Sequence, residues 1–352
     1  MSVEVGIDVT PVLNKIPRGI GSYIFELTTH MVDIDYKFLF KISRLKYPSR
    51  LARLWYRGWP FFEISGVPFF FTKFQLFHGT DAYIPESNKF RKVLTIHDVY
   101  PIIDSPHGRA ANKIRQAVMR QPDALILISE FAKKEFLKFF PDFKEKVFVV
   151  YHGVSDFWKI LNPEECSYVF RKFNIKSPFY LYVGDSDRRK NLDNLFVAFS
   201  HLKERVQLVI AGGFLKGNQR ELIKRLGIKE RVKEVGYVSR EDLRCLYNRA
   251  IAFVFVSLYE GFGLPLLEAM KCGTPVVASN IEVFREIAGG AYIEVEPLSP
   301  LSIAEGLRTV LDSQERSKFV ESGLQVSSQF TWVKTAEETR KVYNLVLNHG
   351  KA

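Results

Sequence analysis

The 352-residue sequence has few cysteines, few methionines, and no long apolar run. Its three cysteines, Cys166, Cys245 and Cys272, are odd in number and widely spaced. That pattern argues against a disulfide framework and for a reducing compartment. No uninterrupted apolar stretch approaches the roughly 18 residues expected of a membrane-spanning helix. MSVEVGIDVTPVL at the start has no basic leader followed by an apolar core, so it does not read as a secretory signal. Internal repeats and low-complexity tracts are also missing. A cytoplasmic protein is expected, attached to the inner face of a membrane at most by its surface.

What is present is an ordinary globular composition with a basic excess. Hydrophobic residues make up 47% and charged residues 25%, which suits a folded chain rather than a disordered one. The length favours two domains. The net charge of +11 points to an anionic partner such as nucleotide phosphate, acidic lipid or nucleic acid.

Short β-branched or aromatic runs alternate with amphipathic segments. Val3–Asp8, Val93–His97, Ala124–Ser129, Phe179–Val183, Gln207–Ala211 and Ile251–Ser257 read as strands, Ser129–Phe139 and Asn191–Leu202 as helices. Strand and helix repeated in this way predict an α/β protein with parallel sheets covered on both faces. The polar stretch Val154–Ser177 reads as a boundary, giving doubly wound, Rossmann-like domains over 1–155 and 175–330 with a cleft between them. A last helix over 332–347 is expected to pack back on the first domain.

In such sheets ligands bind beyond the carboxyl ends of the strands, and glycine, histidine and charge gather there. SLYEGFGLPLLEAMKCGTPVVASN follows the strand Ile251–Ser257 and carries two acids, Glu260 and Glu268. Pro265 suits a helix's first turn, and Gly261 and Gly263 permit close approach of backbone to ligand. Amides at the helix start form a site for a diphosphate. The carboxylates can then take sugar and ribose hydroxyls. On spacing alone, Glu260 reads equally as a turn residue and Glu268 as an exposed helix acid.

The wording of this segment, continued in EVFREIAGGA, resembles the E-x7-E signature of the retaining glycosyltransferase family 4, whose fold is the two-domain GT-B type. The resemblance implies that Glu260 contacts the donor sugar and Glu268 the nucleotide ribose. It also implies that the amides around Phe262, Gly263 and Leu264, next to Gly261, serve sugar and phosphates. In YLYVGDSDRRKNLDNL the family's Gly-Arg…Lys pattern is altered: Lys190 matches the lysine that grips the diphosphate, but Asp185 stands where the arginine is expected. Arg189 is assigned the second contact, with Arg188 as the alternative. As a bare cluster, these cations also read as a solvated turn.

The first domain carries weaker signals. GIG places Gly19 and Gly21 before a helix, where the resemblance puts a loop facing donor phosphates and acceptor; a tight turn explains them as well. TIHD resembles members that transfer mannose, in which the histidine reaches the sugar, so His97 is assigned that contact and Asp98 a supporting or acceptor-side role. His78 is an acceptor-side candidate. His152-Gly153, where the family more often has Asn-Gly, reads as a turn. Between Lys37 and Arg57 there are seven basic residues and no acid, with Lys46, Arg50, Arg53 and Arg57 on one helical face and Trp55 and GWPFF nearby. This fits attachment to an anionic membrane surface; a solvated helix with core aromatics is the rival. No nucleic-acid module accompanies the charge.

The resulting expectation is transfer of mannose from GDP-mannose to a saccharide or lipid-linked oligosaccharide. A UDP-sugar glucosyl- or galactosyltransferase, a nucleotide-sugar epimerase and a basic membrane adaptor remain as alternatives. No cofactor beyond the donor is expected. Asp185-Ser186-Asp187 spells a metal-binding D-x-D, yet the three following cations would compete with a metal ion. Turnover should therefore persist in excess EDTA; its loss on chelation and recovery with Mg²⁺ or Mn²⁺ would show the opposite.

Overall fold

A computed structural model describes residues 3–13, 19–31, 33–39, 74–176 and 178–348. The chain forms two compact units, Met1–Gly153 together with Thr331–Ala352, and Val154–Phe330. The stretch read as a linker, Val154–Ser177, thus belongs to the second unit, where it carries a short helix rather than serving as a boundary.

In chain order the strands are β1 (Val3–Asp8), β2 (Ile34–Leu39), β3 (Leu76–Gly79), β4 (Arg91–Ile96), β5 (Ala124–Leu127), β6 (Val147–Val149), β7 (Phe179–Gly184), β8 (Gln207–Gly212), β9 (Val232–Gly236), β10 (Ala252–Phe255), β11 (Val276–Ser279) and β12 (Ile293–Val295). The helices are α1 (Gly19–His30), α2 (Tyr100–Asp104), α3 (Arg109–Met119), α4 (Glu130–Phe139), α5 (Tyr168–Lys172), α6 (Leu192–Ser200), α7 (Gly217–Arg225), α8 (Arg240–Arg249), α9 (Leu264–Lys271), α10 (Glu282–Ala288), α11 (Pro300–Thr309), α12 (Ser313–Ser327) and α13 (Trp332–Asn348). The start expected at Ser129 carries a side-chain cap, its hydroxyl accepting from the Ala132 amide at 2.9 Å, and Ser239 caps α8 in the same way, accepting from the Asp242 amide at 3.1 Å.

Each unit is built on a six-stranded sheet, ordered β2-β1-β3-β4-β5-β6 in the first and β12-β11-β10-β7-β8-β9 in the second. Every pairing in both is parallel. The central strands are buried on both faces, which is why they read as continuous Val, Ile, Leu and Phe runs. In the second unit the winding direction reverses between β7 and β10, and such a reversal opens a crevice at the carboxyl ends of the two strands.

The C-terminal helix α13 completes the first unit. Trp332, Ala336, Tyr343 and Val346 join a core with Val5, Ile7, Tyr23, Ile24, Leu76 and Val93. Gly153 makes this return possible, because a Cβ there would lie 2.2 Å from the Trp332 amide nitrogen. The Thr335 hydroxyl donates to the Tyr151 carbonyl at 2.8 Å.

Two expectations need correction. Cys166 and Cys245 are paired as a disulfide, leaving Cys272 free and buried. The pairing follows from packing that spacing along the chain does not report. α5 lies against α8, with Lys172 and Tyr168 both bonded to Asp242, at 2.7 and 3.0 Å. Gly19 and Gly21 do not precede α1 but form its first turn, with Gly21 buried against the core. Most of the basic-aromatic segment Lys37–Arg57 lies outside the described residues; its first three residues end β2. No helix among the described residues is long and apolar enough to cross a membrane.

Candidate active site

The loops after β7 and β10 meet at the reversal point of the second sheet. After β7 the chain makes a turn in which Asp187 accepts from the Arg189 amide at 3.0 Å, followed by one 3₁₀ turn over Arg188–Lys190. Asn191 then adopts a left-handed conformation, φ 59° and ψ 32°. Asparagine tolerates this backbone better than most residues. Its buried carboxamide donates to the carbonyls of Val256 at 3.0 Å and Pro297 at 2.7 Å, and the Leu258 amide donates to the Arg189 carbonyl at 2.7 Å. The three loops are thereby stitched together by short polar bonds.

This stitching brings Lys190 and Glu260 into direct contact. The Lys190 ammonium donates to Glu260 Oε1 at 2.5 Å, and each side chain keeps only about a tenth of its surface exposed, 12% and 11%. The ammonium also sits 5.3 Å from the centre of the Phe255 ring. Gly261, Phe262 and Gly263 are buried beneath the turn into α9. Gly263, with φ 103°, is required there both by conformation and by space, since a Cβ would lie 2.9 Å from the Phe284 ring. Leu264 opens α9 and Pro265 follows it, where the missing amide proton costs nothing.

Glu268 lies just over one turn into α9 and is not part of the Lys190–Glu260 contact. Its partners are the Trp158 indole and the Tyr247 hydroxyl, the latter 3.5 Å away. Burial pushes its carboxyl up to about 7, against the opposing pull of Arg240 and those two donors. Neither Trp158 nor Tyr247 stands out in the sequence, because both read as ordinary core aromatics. Asn191 does carry a signal, a polar residue closing RRKN directly before an apolar helix.

Asp185 and Asp187 serve their own turn. Asp185 accepts from the Asp187 amide at 3.3 Å, and its backbone carbonyl accepts from the buried Tyr182 hydroxyl at 2.7 Å. The same phenol lies in the field of Asp185, Glu260, Asp187 and Arg189, which places Arg189 within electrostatic reach of the pair. Arg188 is exposed.

The first unit gathers histidines at the carboxyl ends of β3 and β4. His97 donates from Nε2 to the Thr80 carbonyl at 2.9 Å, so that nitrogen carries the proton. Burial holds its imidazole down at about 4, so the ring is neutral and Nδ1 accepts from His152 Nε2 at 3.2 Å. The two rings stack with centres 5.2 Å apart, and Tyr23 meets His97 edge-on at 4.7 Å. His152, read as a turn residue, is therefore the partner of a candidate site residue. Asp98 accepts from the Tyr100 amide at 2.9 Å and shapes the start of α2. His78 is not an acceptor-side residue. It is fully buried within β3, with Nδ1 bonded to Tyr343 at 2.6 Å and Nε2 to Thr95 at 2.7 Å, and burial pushes it down to about 3. It links α13 to the sheet.

In chemical terms the second unit offers an ammonium and a carboxylate beside the start of α9 at one reversal point, a set that can take a phosphorylated polyol. Among the described residues no group of three or more His, Cys, Asp or Glu could hold a metal ion.

Comparison with known proteins bears on the family and the fold. The family profile described as "Glycosyl transferases group 1" matches residues 169–325. An O-antigen chain mannosyltransferase B from Escherichia coli is 30% identical over 285 residues, covering 77% of this chain and 74% of that protein. Among solved structures, sucrose-phosphate synthase from Thermosynechococcus elongatus superposes with TM-score 0.74 at 16% identity, over 99% of this chain and 100% of that one. Anabaena Alr3699/HepE, solved in complex with UDP and glucose, gives TM-score 0.72 at 16% identity, over 97% and 99%. These likenesses establish the GT-B fold.

The raised Glu268 carboxyl has a measurable consequence. Well below pH 4.5 it is protonated folded or unfolded and has no effect on stability; between about 4.5 and 7 the unfolded chain ionises it while the fold does not, so stability falls across that window and the full cost is present above about 7. Glu268→Gln should therefore exceed the parent in urea-unfolding stability at pH 8, by on the order of 2–3 kcal/mol. The two should differ little near pH 4.5. An equal difference at both pH values would locate the effect in packing rather than charge.

Proposed function

Because the chain belongs to the group 1 glycosyltransferases, we propose that it transfers mannose from GDP-mannose to a saccharide or lipid-linked oligosaccharide, with retention at the anomeric carbon and without a divalent ion. The observation that carries this reading is the Lys190–Glu260 contact at the sheet reversal. Mannose is favoured by TIHD at His97 and by the similarity to an O-antigen mannosyltransferase.

In this reading Glu260 takes a hydroxyl of the donor sugar and Glu268 a ribose hydroxyl. Lys190, Arg189 and the amides opening α9 hold the diphosphate. The acceptor oxygen forms its bond to the anomeric carbon on the face that the diphosphate leaves. The departing phosphate oxygen takes the acceptor's proton, so no protein base is needed. Charge grows on that oxygen as the glycosidic bond breaks, and Lys190 stabilises it there more than in the ground state. His97 keeps its sugar-side role only if a hydroxyl donates to Nδ1 in place of His152. The Lys37–Arg57 segment supplies the attachment to an anionic membrane surface that a lipid-linked acceptor would require.

Thermal shift with GDP, UDP and ADP identifies the base, and turnover tests the chemistry. Lys190→Gln should lower kcat by roughly 10²–10³ with unchanged folding, the loss typical of one oxyanion-stabilising donor. Unchanged kcat would remove Lys190 from the reaction. For the surface attachment, sedimentation with phosphatidylglycerol liposomes at low salt should retain the protein and release it at high salt. Failure to sediment at low salt would discard that part of the reading.

A further inference from the structure

Lys190 and Glu260 are the two groups that would meet adjacent parts of a nucleotide-sugar, its diphosphate and its sugar, and in the structure they bind each other. The bond is short at 2.5 Å, and both side chains are nearly withdrawn from solvent. A charge pair in such a place interacts far more strongly than at an open surface. A pair of this kind is costly to break when only one member finds a new partner, because the other is left charged and unpaired.

Donor and product differ in this respect. An intact nucleotide-sugar carries a diphosphate for Lys190 and sugar hydroxyls for Glu260, so both members are satisfied when the pair opens. The nucleoside diphosphate left after transfer has only the diphosphate. It can take Lys190, but Glu260 then remains without a partner, facing the new negative charge. Asp185 and Asp187 act on the same Tyr182 phenol as Glu260 and add no positive charge there, while Arg189, the cation acting on that phenol, is taken by the diphosphate in this reading.

We propose that Glu260 acts as an internal competitor of the product: it reclaims Lys190 once the sugar has gone and so weakens the hold on the nucleoside diphosphate. The site thereby distinguishes spent from loaded nucleotide without a moving lid. This inference rests on the donor-site reading of the second unit, and it gives Glu260 a task beyond contact with the sugar.

The test is calorimetric titration of the full chain with GDP and UDP at low salt. Four proteins are compared: the parent, Glu260→Gln, Lys190→Met and the double variant. Glu260→Gln keeps the side chain's shape and removes its charge. It should bind the nucleoside diphosphate about tenfold more tightly than the parent, because Lys190 is no longer neutralised. The gain should disappear in the double variant, since the coupling needs both side chains. Guanosine and uridine, which lack phosphate, should show no such gain. Glu260→Asp, with its carboxylate drawn back, should fall between parent and Glu260→Gln, and it tests the same coupling if the amide variant folds poorly.

Equal or weaker binding of the diphosphate by a folded Glu260→Gln overturns the proposal. So does a gain that persists without Lys190. If the parent binds neither GDP nor UDP while remaining folded, the donor-site reading itself fails and this inference fails with it. Binding by the parent with no gain in the variant sinks the inference alone.

Discussion

The left-handed backbone at Asn191 is the constraint on which the candidate site depends. It ends the 3₁₀ turn that carries Lys190, starts α6, and turns a carboxamide inward to hold Val256 and Pro297. Those bonds tie the segment after β7 to the ones after β10 and β12. The bond from Leu258 to Arg189 reinforces the same junction. A cation and a carboxylate that are 70 positions apart in the chain thus come within hydrogen-bonding distance, supported by backbone rather than by other charges. The strand order explains why this junction is the place for it, since β7 and β10 are neighbours whose following helices depart in opposite directions.

The first unit manages polarity differently. Tyr343, His78, Thr95 and Tyr23 form a chain of hydrogen bonds through its interior, at 2.6, 2.7 and 3.2 Å. All of these groups are uncharged at neutral pH, because burial holds the histidine far below its usual range and the phenols above theirs. Neutral groups with satisfied partners can be buried where an ion could not. The same logic governs His97 and His152, whose mutual bond requires Nδ1 of a neutral His97 to accept from the Nε2–H of His152. One unit therefore keeps its ions at the rim of the sheet, and the other keeps uncharged donors and acceptors in its core.

Much of this was legible in the sequence, and the limits have physical causes. Strands buried on both faces were visible as apolar runs, and β10 was found within a residue or two of its ends. β9 was not, because Val232–Gly236 is an edge strand, half exposed, with Lys233 and Glu234 in its middle. β3 has four residues and ends in His-Gly, too short for any periodicity. Lys190 and Glu260 could be singled out because their segments resemble a family signature; on spacing alone they read equally as a solvated turn and a turn residue. What chain order cannot show is lateral packing. The Cys166–Cys245 pair, the Trp158 and Tyr247 contacts of Glu268, and the burial of His78 all depend on which helix or strand lies beside another. For His78, the residue type was suggestive of chemistry while the location decided otherwise.

The placement of α13 has a consequence for how the molecule is made. Its core residues belong with β1 and β4, although they are translated after the whole of the second unit. The amino-terminal unit therefore cannot close its core when it leaves the ribosome; it must wait, part finished, while the whole of Val154–Phe330 emerges. The usual vectorial order, first domain first, is inverted. The later-made unit can mature ahead of the earlier one, and α13 acts as the keystone of a segment synthesised well before it.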